Sequence, residues 1–328
     1  LRDWPSSPAA STAASPASSA SPVAKPAGNL TKVTYAYASV NPLHYVVTIA
    51  SQKPEMFATY GVNLDLVTTT NSPNAVNALV GGSATVAATT PDSAWPAQDK
   101  APEVKQFMAV HQGTPYVVLA QPEIKKMADL KGKTMGVSAL VGGADTLALK
   151  IMMATAGVKD TEYTLVQSGT VSDRTTAMKA KAIFACANLE PQATILRGAG
   201  FPQVDSANNY PELKNVQTIV LSTKSSWLAT DAAANFVKGW RDVTTWTYDP
   251  KNKDEVLAIT KKTMGGDDQG AMNAYNLSVA GNGLPKDLRI DQKMMLQYVD
   301  NLKKSGSTNV PADAMKYVDN SLVQKVQQ

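Results

Sequence analysis

The amino-acid sequence predicts an α/β fold in two lobes. Each lobe is expected to be a mainly parallel β-sheet flanked by helices, with a helical C-terminal tail returning to the first. Three stretches carry this reading. Between Leu130 and Gly157, a polar turn at Lys131-Gly132-Lys133 precedes a short buried strand at Thr134 to Val137. A loop with adjacent glycines, Gly142 and Gly143, follows, and Asp145 to Ala156 then repeats apolar residues at helical spacing before Gly157. Val33 to Thr68 reads as a β-α-β unit, which calls for a parallel sheet and a right-handed crossover. Gln217 to Ser222 reads as a strand returning the chain to the first lobe, and everything after it is helical in pattern.

The elements follow in order. Leu1 to Asn29 is dominated by Ala, Ser and Pro and is expected to be a disordered tether, like the mature start of an exported chain whose signal has been removed. Lys32 to Ala38 alternates as a strand. Asn41 suits a helix N-cap, with Pro42 at the first helical position. Pro54 interrupts that helix, a second short turn runs to Tyr60, and Val62 to Thr68 is the next strand. Asn74 to Val80 is a helix closed by Gly81-Gly82, and Ala84 to Ala88 a very short strand. Ser93 to Gln98 starts another helix. Val104 to Val110 and Tyr116 to Ala120 are strands. In the second lobe Tyr163 to Gln167 and Ala182 to Ala187 are strands, and Asp173 to Ala180 and Gln192 to Leu196 helices. The tail divides into helices at Ala232–Tyr248, Asp254–Thr263, Asp268–Asn276, Asp291–Ser305 and Ala312–Gln324. The lobes are thus expected at residues 30–115 with 218–328, and at 116–217, with hinges near Thr114–Ala120 and Val216–Ser222.

Composition narrows the function classes. The chain has 328 residues, 44% of them hydrophobic, enough for two sizeable cores. The net charge is +4 with no long basic run, which argues against nucleic acid. The single cysteine, Cys186, excludes an intrachain disulfide and a cysteine-rich metal site. Two histidines, His44 and His111, leave little material for a metal site or a Ser-His-Asp triad. No metal, cofactor or catalytic residue is expected. The Gly-Gly pair matches neither a dinucleotide fingerprint nor a phosphate-binding Gly-Lys-Ser/Thr loop.

Four motifs in order and spacing resemble a known family. Phe57-Ala58-Thr59-Tyr60-Gly61-Val62-Asn63-Leu64 is similar to its F-x-x-x-G-L/V-x-V segment. Val80 to Ala87 is similar to its helix-to-strand step. Asp129-Leu130-Lys131-Gly132-Lys133-Thr134-Met135-Gly136-Val137 is close to its D-L-K-G-K-x-V-G-V entry to the second lobe. Ala187-Asn188-Leu189-Glu190-Pro191 sits where it has a short strand ending in proline. Residues 30–328 therefore resemble the solute-binding proteins of ABC importers, in the branch that takes sulfonates, taurine, nitrate and thiamine-pyrimidine precursors. Two departures stand out: Pro54-Glu55-Met56 replaces a glycine-containing turn, and Lys179 to Ala182 lacks the usual glycine and aspartate. The cysteine-rich motif of the eukaryotic pyrimidine synthases is absent. The resemblance implies a two-lobed periplasmic binding fold and a periplasmic or secreted, monomeric receptor. Its partners would be a small-molecule solute and the membrane permease subunits of an ABC transporter, reached by hinge closure.

In such folds the solute lies between lobes at the carboxyl ends of the strands. The candidate ligand-binding residues are Ser39, Asn41, His44, Thr89, Thr90, Asp92, Ser138, Gly142, Gly143, Arg174, Asn188 and Glu190. Helix N-termini there favour an anion, and Arg174 either clamps it bidentately or lies on a solvated helix face. His44 meets the ligand or is structural. Asp92 and Glu190, if both face the cleft, favour a cation or an N–H-rich heterocycle; otherwise Asp92 caps a helix and Glu190 turns the chain. Tyr35 and Trp95 are candidates for an aromatic wall or for packing. The expected ligand is a small organic anion of the sulfonate or aromatic carboxylate kind. The alternatives are a pyrimidine-like solute or an enzyme on the same fold.

Overall fold

The computed structural model describes residues 29–308 and 310–327. The expected tether lies outside them, except for its last residue. Ten strands form two sheets. The first contains β1 (Thr31–Tyr37), β2 (Val62–Thr68), β3 (Val86–Thr89), β4 (Val104–Gln112) and, much later, β10 (Gln217–Lys224), in the order β2-β1-β3-β10-β4. The second contains β5 (Val117–Ala120), β6 (Thr134–Val137), β7 (Thr164–Gln167), β8 (Ala185–Asn188) and β9 (Gln203–Ser206), in the order β7-β6-β8-β5-β9. Strand β9 is one that the sequence pattern had not marked.

The two orders are equivalent, and one strand per sheet runs against the rest. β1 pairs in parallel with β2 and β3, while β10 is antiparallel to β3 and β4. β6 pairs in parallel with β7 and β8, while β5 is antiparallel to β8 and β9. The reversed strands are the two by which the chain enters each sheet from the other lobe. A chain arriving at the carboxyl ends of the parallel strands can join that sheet only by running the opposite way.

The two crossings lie at residues 113–116 and 207–216. Residues 117–120 and 217–222, the strand portions of the expected hinge regions, are internal strands bonded on both sides. The crossings bond to each other: Gly113 N–H donates to the Val216 carbonyl at 2.7 Å and Thr114 N–H to that of Leu213 at 3.0 Å. Gly113 turns there with φ +74°, a conformation that favours glycine.

Pro42 opens a 3₁₀ turn capped by Asn41, whose side chain accepts from Leu43 N–H, and the helix Tyr45–Gln52 continues from it. In the first lobe, Tyr35, Phe57, Phe236 and Trp240 form a buried aromatic cluster beneath the sheet, with Tyr35 and Trp240 centroids 5.8 Å apart. Trp95 stacks on Tyr317 at 6.1 Å. The aromatic-wall reading of Tyr35 and Trp95 therefore gives way to packing. The tail departs from its expected pattern at Ala312–Gln324, which is a 3₁₀ turn at Met315–Tyr317 followed by the helix Ser321–Gln327. Between them Val318 bridges Gln106 on edge strand β4, and Asp319 N–H donates to the Gln106 carbonyl at 2.8 Å. That edge pairing takes residues the helix would have used.

Candidate functional site

The carboxyl ends of β1, β2, β6 and β7 carry the loops that face one another between the lobes. Their sequences start helices there: Ser72–Val80 from the first lobe, Ala144–Thr155 and Val171–Lys179 from the second. The first helical residues Ser72, Ala144 and Val171 all line one interlobe cavity. The first lobe adds Ser39, Asn41, Leu43, His44 and Thr70; the second adds Ser138, Thr170 and Arg174, and Tyr116 closes the side at the crossing. Gly143 offers no capping side chain to Ala144–Thr155, so its first-turn N–H groups face the cavity region uncapped.

Arg174 is the centre of the second-lobe wall. Its side chain is 2% exposed, and Nη1 lies 3.2 Å from Oδ2 of fully buried Asp145. Nε donates to the Ala187 carbonyl at 3.1 Å and Nη1 to that of Gly169 at 2.7 Å. The same Asp145 carboxylate accepts from Ser138 N–H at 2.7 Å and from the Ser138 hydroxyl at 2.6 Å. Ser138, Asp145 and Arg174 thus form one buried network, each member holding another in place. Nη2 of Arg174 makes no hydrogen bond to any described residue. Tyr116 stays protonated: burial first, then the Asp145 carboxylate, push its phenol pKa upward, with Arg174 opposing.

The first-lobe wall is uncharged. His44 is 1% exposed, and its Nδ1 finds no partner. Burial, reinforced by His111, lowers its pKa to about 3, so it is neutral. His111 is equally buried with both ring nitrogens unpartnered, and burial lowers its pKa to about 4. His44 packs edge-on against Tyr37, with ring centroids 5.2 Å apart.

The lobes are closed on each other. The Thr90 hydroxyl donates to the Gly142 carbonyl at 3.0 Å across the gap. Gly142 has φ +71°, and a Cβ there would meet Ser93 Cβ at 2.8 Å. On the far side, Pro191 sits so close to Gly266 and Gly270 that a Cβ on either would approach its Cβ within 2.8 and 2.7 Å. Asn273 Nδ2 donates to the Thr194 hydroxyl at 3.1 Å nearby. The space left in the interlobe cavity is only about 30 Å³. That is room for a water or two.

Of the candidate residues, Ser39, Asn41, His44, Ser138 and Arg174 meet at the cavity. Thr90 and Gly142 bond to each other between the lobes and are not part of its lining. Asp92 and Gly143 border a wider groove of about 270 Å³ on the outer side of the Leu140–Gly143 loop. There Asp92 accepts from the Tyr298 hydroxyl at 2.7 Å, and burial raises its carboxyl pKa. Thr89 is buried within β3 with its hydroxyl unpartnered. Asn188 turns inward, its amide donating to the Thr175 hydroxyl at 3.0 Å. Glu190 is engaged by Arg197 and accepts from Thr194 N–H at 3.0 Å. Asp92 and Glu190 therefore do not form an acidic pair facing the cavity. Arg174 is not on a solvated face.

Asp145, Tyr116, Thr70 and Ser72 were not singled out from sequence. Asp145 had a signal: a carboxylate in an otherwise apolar helix is costly to bury without a cation, and Arg174 is the guanidinium nearest to a binding loop. Tyr116 gave none, because a strand-start aromatic is ordinary.

A Brucella abortus protein named as a binding protein is 34% identical to this chain over 116 residues, 35% of this chain. That match spans about a third (34%) of the relative's own length. The ligand-binding component of an ABC-type import system from Staphylococcus aureus, solved with zinc bound, superposes with a TM-score of 0.73 at 15% identity, covering 90% of this chain and 98% of that one. The alkanesulfonate-binding protein of Xanthomonas axonopodis, bound to MOPS, gives 0.69 at 13% identity over 92% and 99%. The two five-stranded sheets are thus those of a two-lobed periplasmic binding fold. The sequence profile of the NMT1/THI5 like family matches residues 41–253, more than half the chain, and the protein belongs to that family.

Proposed function

We propose that the protein is the extracytoplasmic solute-binding component of an ABC import system. It closes two lobes, 30–115 with 218–328 and 116–217, on a small organic anion of the sulfonate or aromatic carboxylate kind. It hands the solute to membrane permease subunits without a catalytic step, and works as a monomer in the periplasm or outside the cell. One observation carries the reading: the N-termini of three helices and the Arg174 guanidinium converge on a single interlobe cavity. Ser39, Asn41, Ser138, Thr70 and Thr170 supply hydrogen bonds, and Leu43, Val171 and Tyr116 an apolar wall for the organic body. The alkanesulfonate-binding title of one structural neighbour and the import-system title of another support the same role.

A second reading, a pyrimidine-like solute, draws on the unpartnered Nδ1 of neutral His44, which accepts from a ring N–H. The same His44 is the one candidate general base for an enzyme on this fold. Thermal shifts with sulfonates, aromatic acids, nitrate and pyrimidines separate the readings. Stabilisation by sulfonates or aromatic carboxylates supports the first, by pyrimidines alone the second, and product formation on incubation the third.

A further inference from the structure

We propose that Asp145 is the residue that sets charge selectivity in this site, limiting it to solutes with a single negative charge. The inference rests on the anion reading above and goes one step beyond it. Asp145 cannot be a direct ligand: it is fully buried, and its oxygens are occupied by Ser138 N–H, the Ser138 hydroxyl and Arg174 Nη1. Its effect on a solute therefore passes through the two residues it holds.

The first effect is positional. Ser138 and Arg174 both line the cavity, and each is fixed by the same carboxylate, so the donors a solute meets are pre-aimed. The second effect is electrostatic. Arg174 brings one positive charge to the wall, and Asp145, about a hydrogen bond away, cancels it. The favourable potential that remains comes from the helix N-termini at Ser72 and Ala144, worth roughly half a charge each, and from the spare Nη2 donors; the N-terminus at Val171 is already offset by the Asp173 carboxylate bonded to Thr170. His44, the other buried polar group on the wall with an unpartnered atom, is neutral. Such a wall suits a monoanion. A dianion brings a second charge that nothing here neutralises, next to a carboxylate in a poorly hydrated space.

The test uses benzenesulfonate, which stays monoanionic, and phenylphosphonate, a near-isostere that becomes a dianion as pH rises through neutrality. Calorimetric titration of the wild type is expected to give benzenesulfonate binding that is flat across this range. Phenylphosphonate affinity is expected to fall about tenfold or more as its second proton leaves. In Asp145→Asn, which keeps the shape and most of the hydrogen bonds, both anions bind more tightly and the pH-linked loss for phenylphosphonate shrinks severalfold. A residue that served only structure would weaken both ligands alike and leave their ratio and the pH profile unchanged; that result overturns the proposal. So does dianionic phenylphosphonate binding the wild type as well as the sulfonate does. If Asp145→Asn fails to fold, the wild-type pH series decides alone. Failure of the wild type to bind any monoanion sinks the anion reading itself, and this inference with it, which is a distinguishable outcome.

Discussion

The sheets β2-β1-β3-β10-β4 and β7-β6-β8-β5-β9 share one strand order and one reversed strand, yet the loops at their carboxyl ends bring different chemistry to the cavity between them. The first-lobe wall is made of Asn41, neutral His44 and hydroxyls. The second carries the Ser138–Asp145–Arg174 network and, behind Thr170, the Asp173 carboxylate that accepts from its N–H and hydroxyl. Both lobes supply helix N-termini, one from the first and two from the second, while charge enters from one side only. Affinity for an anion should accordingly be far more sensitive to the second lobe than to the first.

The largest expected effect follows from breaking that asymmetry at its centre. Arg174→Met leaves Asp145 buried without its cation, which is expected to cost about 3–5 kcal/mol of stability and to remove anion binding. Chemical denaturation and calorimetry read the two losses separately. His44→Gln on the opposite wall should alter anion affinity much less.

Lobe closure is tested at Gly142. In Gly142→Ala the new Cβ meets Ser93 and the backbone is held at φ +71°, a strain of about 1 kcal/mol or more in the closed form. Solute affinity should drop while the unliganded protein unfolds at nearly its wild-type denaturant midpoint, and small-angle scattering should find a more open particle.

The first lobe has its own signature in acid. His44 and His111 have folded-state pKa values near 3 and 4 against about 6.5 when unfolded. Their contribution to stability is complete above about pH 6.5 and is lost as pH falls from there towards those folded values, because the unfolded chain takes up protons that the folded one refuses. Denaturation from neutral pH down to the acid limb should show a loss on the order of a few kcal/mol. Replacing His111 by Gln should flatten part of that slope.

The smallest effect sharpens the comparison from within the second lobe. Glu190 belongs to the same lobe as Arg174 but is engaged by Arg197 and the Thr194 turn. Glu190→Gln is expected to leave solute affinity within about twofold, as titration would read.

Much of this was legible in the sequence, and the reasons are local. Periodicity, Asn41-Pro42 and the Lys131–Gly143 stretch report on backbone geometry within a few residues, so the β-α-β units were readable. The short strand β9 was not, because Gln203–Ser206 is half exposed at a sheet edge and has no apolar run. Of the site, Ser39, Asn41, His44, Ser138 and Arg174 were readable because loops after parallel strands converge in this kind of fold. Asn188 ends β8 and Glu190 follows in a similar loop, but their side chains find partners in their own lobe, a choice made by rotamers rather than by sequence position. Asp145 was hidden for the opposite reason: its place in the first turn of a helix already explained an acidic residue there, and its pairing with Arg174, 29 residues later, emerges only once the two helices pack against β6 and β8.

The most direct test of the account is a thermal-shift comparison of monoanionic sulfonates and aromatic carboxylates against neutral pyrimidines on the wild-type protein. A bound anion at a hundred times its dissociation constant should stabilise the fold by about 2.7 kcal/mol, with pyrimidines giving no shift. Stabilisation by pyrimidines, with every sulfonate and carboxylate flat, would contradict it.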